Sequence, residues 1–368
     1  MNKILYRDVF RMSNWESFRF DEIFIIKGGF YNKRPKFSSD AQIPFIGATN
    51  TNNGVTGFCT IEDIENSSKT GSGKNHELKY KLFPGNCITV TNNGSVGHAY
   101  YQVNQFTCSH DINILYLKDY VLNKYLAMFL ISLIEQQGVC FAYSRKWRPM
   151  RMKSSNILLP VNDEGEPDYI LMEDWAKKEY VKKINRILEL ISNKLNSLIY
   201  NKILSLDEVC WDSFFIESIG TIKSGKDITK KNMVPGDTPY ISSTALNNGV
   251  SAYIDNTNNT LEKDCISINR NGSVGYAFYH PYYALFSNDC RKLITDLDKY
   301  CNLFIVNQIK AQKDKYNYGY KMGTNRIKRQ QILLPVTDDG EPDYDYMRQY
   351  MINVEISMLQ KYLKYIGK

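Results

Sequence analysis

Along this chain short apolar runs alternate with Asn- and Gly-rich turns, and in two places the pattern shifts to a helical period. The runs "IPFIGATNTNNGVTGF", "CITVTNNGSVGHAYY" and "INILYL" are rich in β-branched and aromatic residues and broken by turn residues. They predict strands joined by tight turns. "NKYLAMFLISLIEQQ" carries its apolar residues at helical spacing and predicts a short helix. After "GEPDY", the residues Val181, Ile184, Leu188, Ile191, Leu195 and Leu198 follow one another at alternating steps of three and four. That is a heptad seam, and it predicts a helix from Tyr169 to Lys202, roughly 50 Å long at about 1.5 Å per residue. Met347, Met351, Val354 and Met358 begin a similar, shorter seam near the C-terminal end. An exposed apolar ladder does not hold an isolated helix, so each seam needs a partner, and the other seam is the nearest one in sequence terms.

The phrase "ILLPVNDEGEPDY" (Ile157 to Tyr169) recurs as "ILLPVTDDGEPDY" (Ile332 to Tyr344), an offset of 175 (332 − 157). Three more anchors repeat in the same order. Trp15 matches Trp211 at offset 196 (211 − 15), and "NNGV" at Asn52 matches Asn247 at 195 (247 − 52). "NGSVG" at Asn93 matches Asn271 at 178 (271 − 93). The chain is a tandem duplication. The drop from 195 to 178 makes the first copy longer by 17 residues (195 − 178), around "ENSSKTGSGKNHELK", which reads as an exposed loop. In each copy "ILLPV" is expected to be the last strand, its proline stopping the pairing. "DEGEP" then turns the chain, and the Asp of "PDY" starts the helix.

The expected fold is α+β: two tandem globules, 1–167 and 207–342, each followed by a long helix, 168–206 and 343–368. A two-fold axis relating equivalent units would pair the helices as an antiparallel coiled coil with pseudo-two-fold symmetry.

Composition adds little until it is located. Hydrophobic content of 43% and aromatic content of 13%, with 27 Tyr, belong to a folded chain. A net charge of +7 permits an anionic partner. The N-terminus has no apolar signal region and no stretch is long enough to span a bilayer, so a cytoplasmic location is expected, with no membrane contact. The eight cysteines contain no C-x-x-C pair and the four His no ligand spacing; the thiols read as reduced and mostly buried, and no metal is expected.

Catalytic motifs fail one by one. No E-x-K follows Pro167-Asp168 or Pro342-Asp343, as a nuclease of the PD-(D/E)-x-K kind requires. "GSGK" (Gly71 to Lys74) lacks the upstream Gly and the following Ser/Thr of a phosphate loop. "NGSVG" lies between strands, where its glycines suit a turn with positive φ. No Ser–His–Asp or Cys–His set occurs in both halves. No catalytic residue is expected.

The basic residues fall into doubled groups. Lys27, Lys33, Arg34 and Lys36 lie in "KGGFYNKRPKF", and Lys223, Lys226, Lys230 and Lys231 in "KSGKDITKKN", both Gly-containing loops after a strand and suited to phosphates. Arg145, Lys146, Arg148 and Arg151 precede the first "ILLP", and Tyr318, Lys321 and Arg326 the second. These mix Arg, Lys and aromatics, as base and backbone contacts both use. Beside the "NGSVG" turns, Asn92-Asn93 stands against Arg270-Asn271, a divergence expected if two halves read different bases. All of these are candidate DNA contacts.

At this point the chain resembles the specificity (S) subunits of type I restriction–modification systems and the related S subunits of type IIB enzymes. The likeness rests on the paired "NGSVG" with flanking strands, on "YNYGYKMGTNRIKRQQILLP" (Tyr316 to Pro335), on the Trp-led openings and on a helix after each globule. It covers nearly the whole chain. It implies two target recognition domains, each reading half of a split, asymmetric sequence in double-stranded DNA. It implies spacer helices that dock two DNA methyltransferase subunits, whose S-adenosylmethionine the partners hold, with restriction subunits able to join. Two other classes remain open at this point: a free-standing DNA-modifying enzyme, and a duplicated scaffold that binds protein or glycan.

Overall fold

In the computed structural model, which describes residues 14–73, 76–141, 144–316 and 319–367, the chain divides into two units, residues 1–187 and 188–368. The first unit contains β1 (Asn14–Arg19), α1 (Phe20–Ile23), β2 (Phe24–Gly28), β3 (Ile43–Ile46), β4 (Val55–Cys59), α2 (Ile61–Glu65), β5 (Ser67–Ser68) and β6 (Gly71–Ser72). It continues through β7 (Cys87–Thr91), β8 (Ala99–Gln102), β9 (Thr107–Cys108), β10 (Ile112–Leu117), α3 (Lys124–Gly138), α4 (Pro149–Lys153) and β11 (Asn156–Val161) to the start of α5 (Tyr169–Asn196). A four-stranded sheet of order β2-β10-β7-β8 lies at its centre. The strand period of two puts Ile88 and Val90 on one face, in a core with α3, and Cys87 on the other. That second face shares a core with the three-stranded sheet β4-β3-β9, through Ile112 and Ile114 against Phe45, Ile46 and Cys59.

The second unit repeats this plan. After α5 come β12 (Trp211–Phe215), α6 (Ile216–Ile219), β13 (Thr221–Ser224), β14 (Pro235–Ile241), β15 (Val250–Ile254), β16 (Cys265–Asn269), β17 (Ala277–His280), β18 (Leu285–Phe286) and β19 (Cys290–Ile294). Then follow α7 (Lys299–Ala311), α8 (Thr324–Lys328), β20 (Gln331–Pro335) and α9 (Tyr344–Tyr365). The sheets β13-β19-β16-β17 and β15-β14-β18 match those of the first unit strand for strand. The repeated "NNG" explains itself. Asn52, Asn53 and Gly54 hold φ of 50°, 53° and 79°, and Asn247, Asn248 and Gly249 hold 50°, 53° and 78°. Consecutive left-handed residues are tolerated by Asn and Gly and by few others. Asn53 Nδ2 then donates to the Tyr101 carbonyl, and Asn248 Nδ2 to that of Tyr279.

The repeated closing phrase is a joint built twice. Pro160 pairs with Trp15 and Pro335 with Trp211, and the first ladder runs on to Asn14 and Val161. The proline therefore does not stop the pairing: β1-β11 and β12-β20 are two-stranded, so the missing N–H can face away from the partner strand. The prolyl carbonyls instead receive the next turn, from Asp168 N at 2.9 Å and Asp343 N at 2.8 Å. Gly165 and Gly340 both take φ of 80° in the intervening turn. Asp168 Oδ1 accepts from Leu171 N at 2.9 Å, and Asp343 Oδ1 from Tyr346 N at 2.8 Å, which caps each helix as expected.

The first turns of each helix then dock on their own globule. Met172 and Ala176 are buried in the first unit's core, and Met347 in the second's. Trp15 stacks on Phe129, which meets Trp175 edge-on; Trp211 stacks on Phe304, which meets Tyr350 edge-on. Met347 and Met351 therefore belong to the globule side of α9 and not to a helix-pairing seam. Heptad spacing reports an apolar stripe without saying which core it faces. Val354 is half-buried and Met358 exposed. On α5, Val181 is exposed, Ile184, Leu188 and Leu195 are half-buried and Ile191 is buried. The helix ends at Asn196, short of Lys202, with 28 residues or roughly 42 Å at about 1.5 Å each. Leu198 lies past its end. In the second unit the segment after Asn196 runs beside α9: Gln349 donates to the Ile199 carbonyl, Asn353 to that of Asn201 and Tyr346 to that of Leu204.

The surplus of the first copy is a folded insert and not merely an exposed loop. Thr60 and Asp63 form a capping box that starts α2, and β5 pairs with β6. The ammonium of buried Lys81 donates to the carbonyls of Ile64, Glu65 and Ser67, tying the insert down. Lys74 of "GSGK" lies outside the described residues. Six cysteines are buried and Cys140 and Cys210 exposed; burial pushes the Cys59 and Cys87 thiols up to about 12.

The two ends of α9 make unlike demands. Met347→Ala is expected to destabilise the second unit by about 2–5 kcal/mol, the cost of a core cavity, while Met358→Ala changes stability by less than about 0.5 kcal/mol. Thermal or urea unfolding of each variant checks this; equal effects would mean that Met347 does not anchor the helix.

Candidate nucleic-acid interface

In each unit the backbone draws three separated motifs to one end of the central sheet. In the first, Phe30 N donates to the Cys108 carbonyl at 3.3 Å. Asn92 N donates to the Asp111 carbonyl at 2.8 Å, and Trp147 N to that of Asn92 at 3.1 Å. The "KGGFY" loop, the "NGSVG" turn and the "RKWRPMRMK" segment are thereby neighbours. In the second unit Lys226 N reaches the Phe286 carbonyl at 2.8 Å, Arg270 N that of Asp289 at 3.0 Å and Met322 N that of Arg270 at 3.2 Å. The same three motifs meet there by the same bonds. The "NGSVG" turn fits because Gly97 lies against the backbone of Gly138, where a Cβ would come within 2.8 Å, and Gly275 lies as tightly against Lys313.

The expected contact residues sort into three groups by what their side chains do. Lys27, Lys33, Arg34 and Lys36 are exposed, with Lys27 over the Tyr116 ring and Arg34 over Phe37. Lys223, Lys226, Lys230 and Lys231 are exposed as well, although Lys223 approaches Glu262 at 3.8 Å. These segments present exposed cations suited to an anion.

A second group builds the surface itself. Arg151 Nη1 donates to the Lys146 carbonyl at 2.6 Å, and Arg326 Nη1 to that of Lys321 at 2.6 Å, each closing a turn over the same five-residue span. Arg145 lies over the Phe141 ring, and its counterpart Tyr320 stacks on Tyr316. Arg326 lies 4.0 Å from the Tyr320 ring centroid. Asn93 Nδ2 donates to Asp111 and Asn271 Nδ2 to Asp289, at 3.0 and 3.1 Å. Arg148 reaches Asp111 at 3.6 Å. Lys146 is partly buried and Lys321 exposed.

Asn92 must be withdrawn from the candidate contacts. It is fully buried, and its Nδ2 donates to Asn113 Oδ1 at 2.8 Å, while Asn113 donates to the Trp147 carbonyl. Its role is to lock the turn to Trp147, whose indole fills the core between Phe141 and Phe20. Tyr318 lies outside the described residues. Sequence reasoning missed Asn113 and its counterpart Arg291. Aligning "DINIL" with "DCRKL" at offset 178 (289 − 111) would have shown the exchange of an amide for a guanidinium.

The family model described as the type I restriction modification DNA specificity domain matches residues 12–203 and again 208–363. The specificity subunit S.BcgI of a type II restriction enzyme from Heyndrickxia coagulans is 36% identical over 282 residues, 75% of this chain and 80% of that one. The S subunit of a type I restriction–modification system from M. genitalium has a similar fold, with a TM-score of 0.51 at 15% identity over 96% of this chain and 92% of that one.

The buried amide pair gives a direct check. Asn92→Ala leaves Asn113 Oδ1 without its donor and is expected to cost the first unit about 1–3 kcal/mol. Affinity for DNA, read by fluorescence anisotropy on the folded variant, should stay unchanged; a loss of affinity without a loss of stability would return Asn92 to the contact surface.

Proposed function

The chain belongs to the type I restriction modification DNA specificity family, and from that premise we propose how its two units divide the reading of DNA. It is a specificity subunit of a restriction–modification system, without catalytic activity of its own, that binds DNA and assembles with the rest of the complex. Each unit reads one half of a bipartite, asymmetric site in double-stranded DNA. Two DNA methyltransferase subunits, which hold S-adenosylmethionine, dock on the chain, and restriction subunits join the same complex. The complex works in the cytoplasm, and no helix among the described residues is long and apolar enough to cross a membrane.

One observation carries this reading. The same backbone bonds bring the same three motifs together in both units, while the side chains set on that frame differ. A common frame with unlike faces suits one binding task performed on two sequences. The exposed lysines beside the frame supply a phosphate-directed attraction that is independent of sequence, and the residues near the "NGSVG" turns supply discrimination. The reading holds for either system type.

Two measurements test it. The purified chain alone is expected neither to methylate nor to cut DNA, and a host with and without the chain should differ in methylated bases at a split asymmetric site. Replacing Lys27, Lys33, Arg34 and Lys36 by Gln should weaken binding to every duplex alike and flatten the salt dependence by about 0.9 in the log–log slope for each phosphate no longer neutralised. The same holds for Lys226, Lys230 and Lys231, with a smaller effect at Lys223 because Glu262 already faces it. Loss of affinity for a single sequence would show that these loops read bases.

A further inference from the structure

The second unit contains a cavity of about 390 Å³ lined by Arg270, Lys321, Gly323, Thr324, Asn325 and Arg326. Arg291 lies directly behind it, nearly fully buried, with Nε on Thr324 Oγ1 at 2.7 Å and Nη1 on the carbonyls of Asn288 and Cys290. Among the described residues no carboxylate comes within ion-pair distance of Arg270 or Arg291; Asp289 accepts from Asn271 instead. Burial, and after it the charge of Arg270, pull the Arg291 guanidinium below its ordinary range, and the nearby Asp289 offsets this only in part. The first unit keeps two of these cations, Lys146 at the place of Lys321 and Arg151 at that of Arg326, and differs at the rest. Asn92 replaces Arg270, Asn113 replaces Arg291, and the Asn92 amide donates to that of Asn113 in a neutral hydrogen bond. At the place of Gly323, where a Cβ would meet nothing within 4 Å, stands Arg148, which is paired with Asp111.

Resting on the DNA-specificity reading, we propose that the second unit, and not the first, seats one phosphodiester of the DNA in a pocket formed by Arg270, Lys321, Thr324 and Arg326 and backed by Arg291. A concave site with cations on several sides fits a protruding tetrahedral anion, whose charge relieves their mutual repulsion. A base edge is recessed in its groove and is read by a side chain that projects into it. Thr324 links the two layers: its oxygen accepts from Arg291, which orients the hydroxyl hydrogen away from that guanidinium and towards an acceptor. The first unit, with its amide pair, holds the corresponding turn by neutral hydrogen bonds and must bind its half-site without this anchor.

The test uses the full chain and labelled duplexes of several unrelated sequences. Arg270 makes no side-chain contact that the fold needs, so Arg270→Gln should fold normally, as circular dichroism melting would verify. It should bind every duplex about tenfold more weakly and lose about 0.9 from the slope of log K against log salt. Arg291→Gln should act in the same direction and serves as the second variant. Inorganic phosphate should raise the melting temperature of the wild type more than that of Arg270→Gln; its failure to compete with DNA would mark the pocket as one for free anions and overturn the proposal. An unchanged slope and affinity in Arg270→Gln would overturn the pocket while leaving the specificity reading intact. A loss confined to one sequence at constant slope would make Arg270 a reader of a base edge. Failure of the wild-type chain to bind any duplex would remove both readings together.

Discussion

The hydrogen bond from an aspartate N–H to a prolyl carbonyl, made by Asp168 to Pro160 and again by Asp343 to Pro335, is the constraint on which each unit depends. It fixes the angle at which the chain leaves its last strand. The aspartate that makes it also caps the following helix, so one residue sets both the start and the direction of that helix. Direction then decides which side chains meet the globule. Met172 and Met347 arrive over the cores, and Trp175 and Tyr350 arrive edge-on to Phe129 and Phe304. A turn of another length would rotate the helix by about 100° for each residue inserted or deleted, and the apolar stripe would miss its core. The closing phrase repeats almost letter for letter because little else satisfies both the turn and the cap.

A similar economy separates frame from face at the sheet end where the three motifs meet. Backbone N–H and carbonyl groups make the bonds that join the "NGSVG" turn to the segment carrying Trp147 or Met322. Such bonds do not depend on side-chain identity, so the side chains beside them can differ without loss of the frame. Asn92 and Arg270 occupy the same backbone position, accept the same N–H at their carbonyls, and differ in everything beyond Cα. The buried partner changes in step. Asn113 answers Asn92 with a neutral hydrogen bond, whereas Arg291 stands behind Arg270 as a second cation. The two units thus carry one architecture with two electrostatic characters.

What was legible in the sequence was what recurs. The four anchors exposed the duplication, and the strands, the helix after each globule, the positive-φ glycines of "NGSVG" and the aspartate helix starts all followed from local chemistry that both copies repeat. What was not legible depended on which neighbour a residue meets. Met347 sits at heptad spacing with Met351, yet spacing cannot say whether a stripe faces another helix or its own globule. Pro160 was expected to end its ladder, but a proline in a two-stranded edge can point its missing donor outward and let the ladder continue. Asn92 looked like a contact residue from its place beside a turn; only the fold shows Asn113 waiting under it. The basic insert around "GSGK" looked like an open loop because nothing local announces that Lys81, several residues later, will bind three of its carbonyls.

The arginines that close the turns bear on how tightly such a surface can bind. Arg151 and Arg326 each spend one guanidinium nitrogen on a carbonyl five residues earlier, which holds the loop in one shape before any ligand arrives. Loops ordered in advance lose less entropy on binding, at about 0.5–1.5 kcal/mol for each rotamer-rich side chain already held. Both arginines are exposed, so one residue both shapes the loop and offers it charge. Arg326 is held further by the Tyr320 ring. In contrast, Lys33, Lys36, Lys230 and Lys231 are exposed. On the proposed reading, the surface combines a centre held in shape, where differences in side chain would be read, with an exposed rim whose charge would attract any duplex. Discrimination would use the first and encounter the second, and the backbone holds the two segments beside each other at the same sheet end.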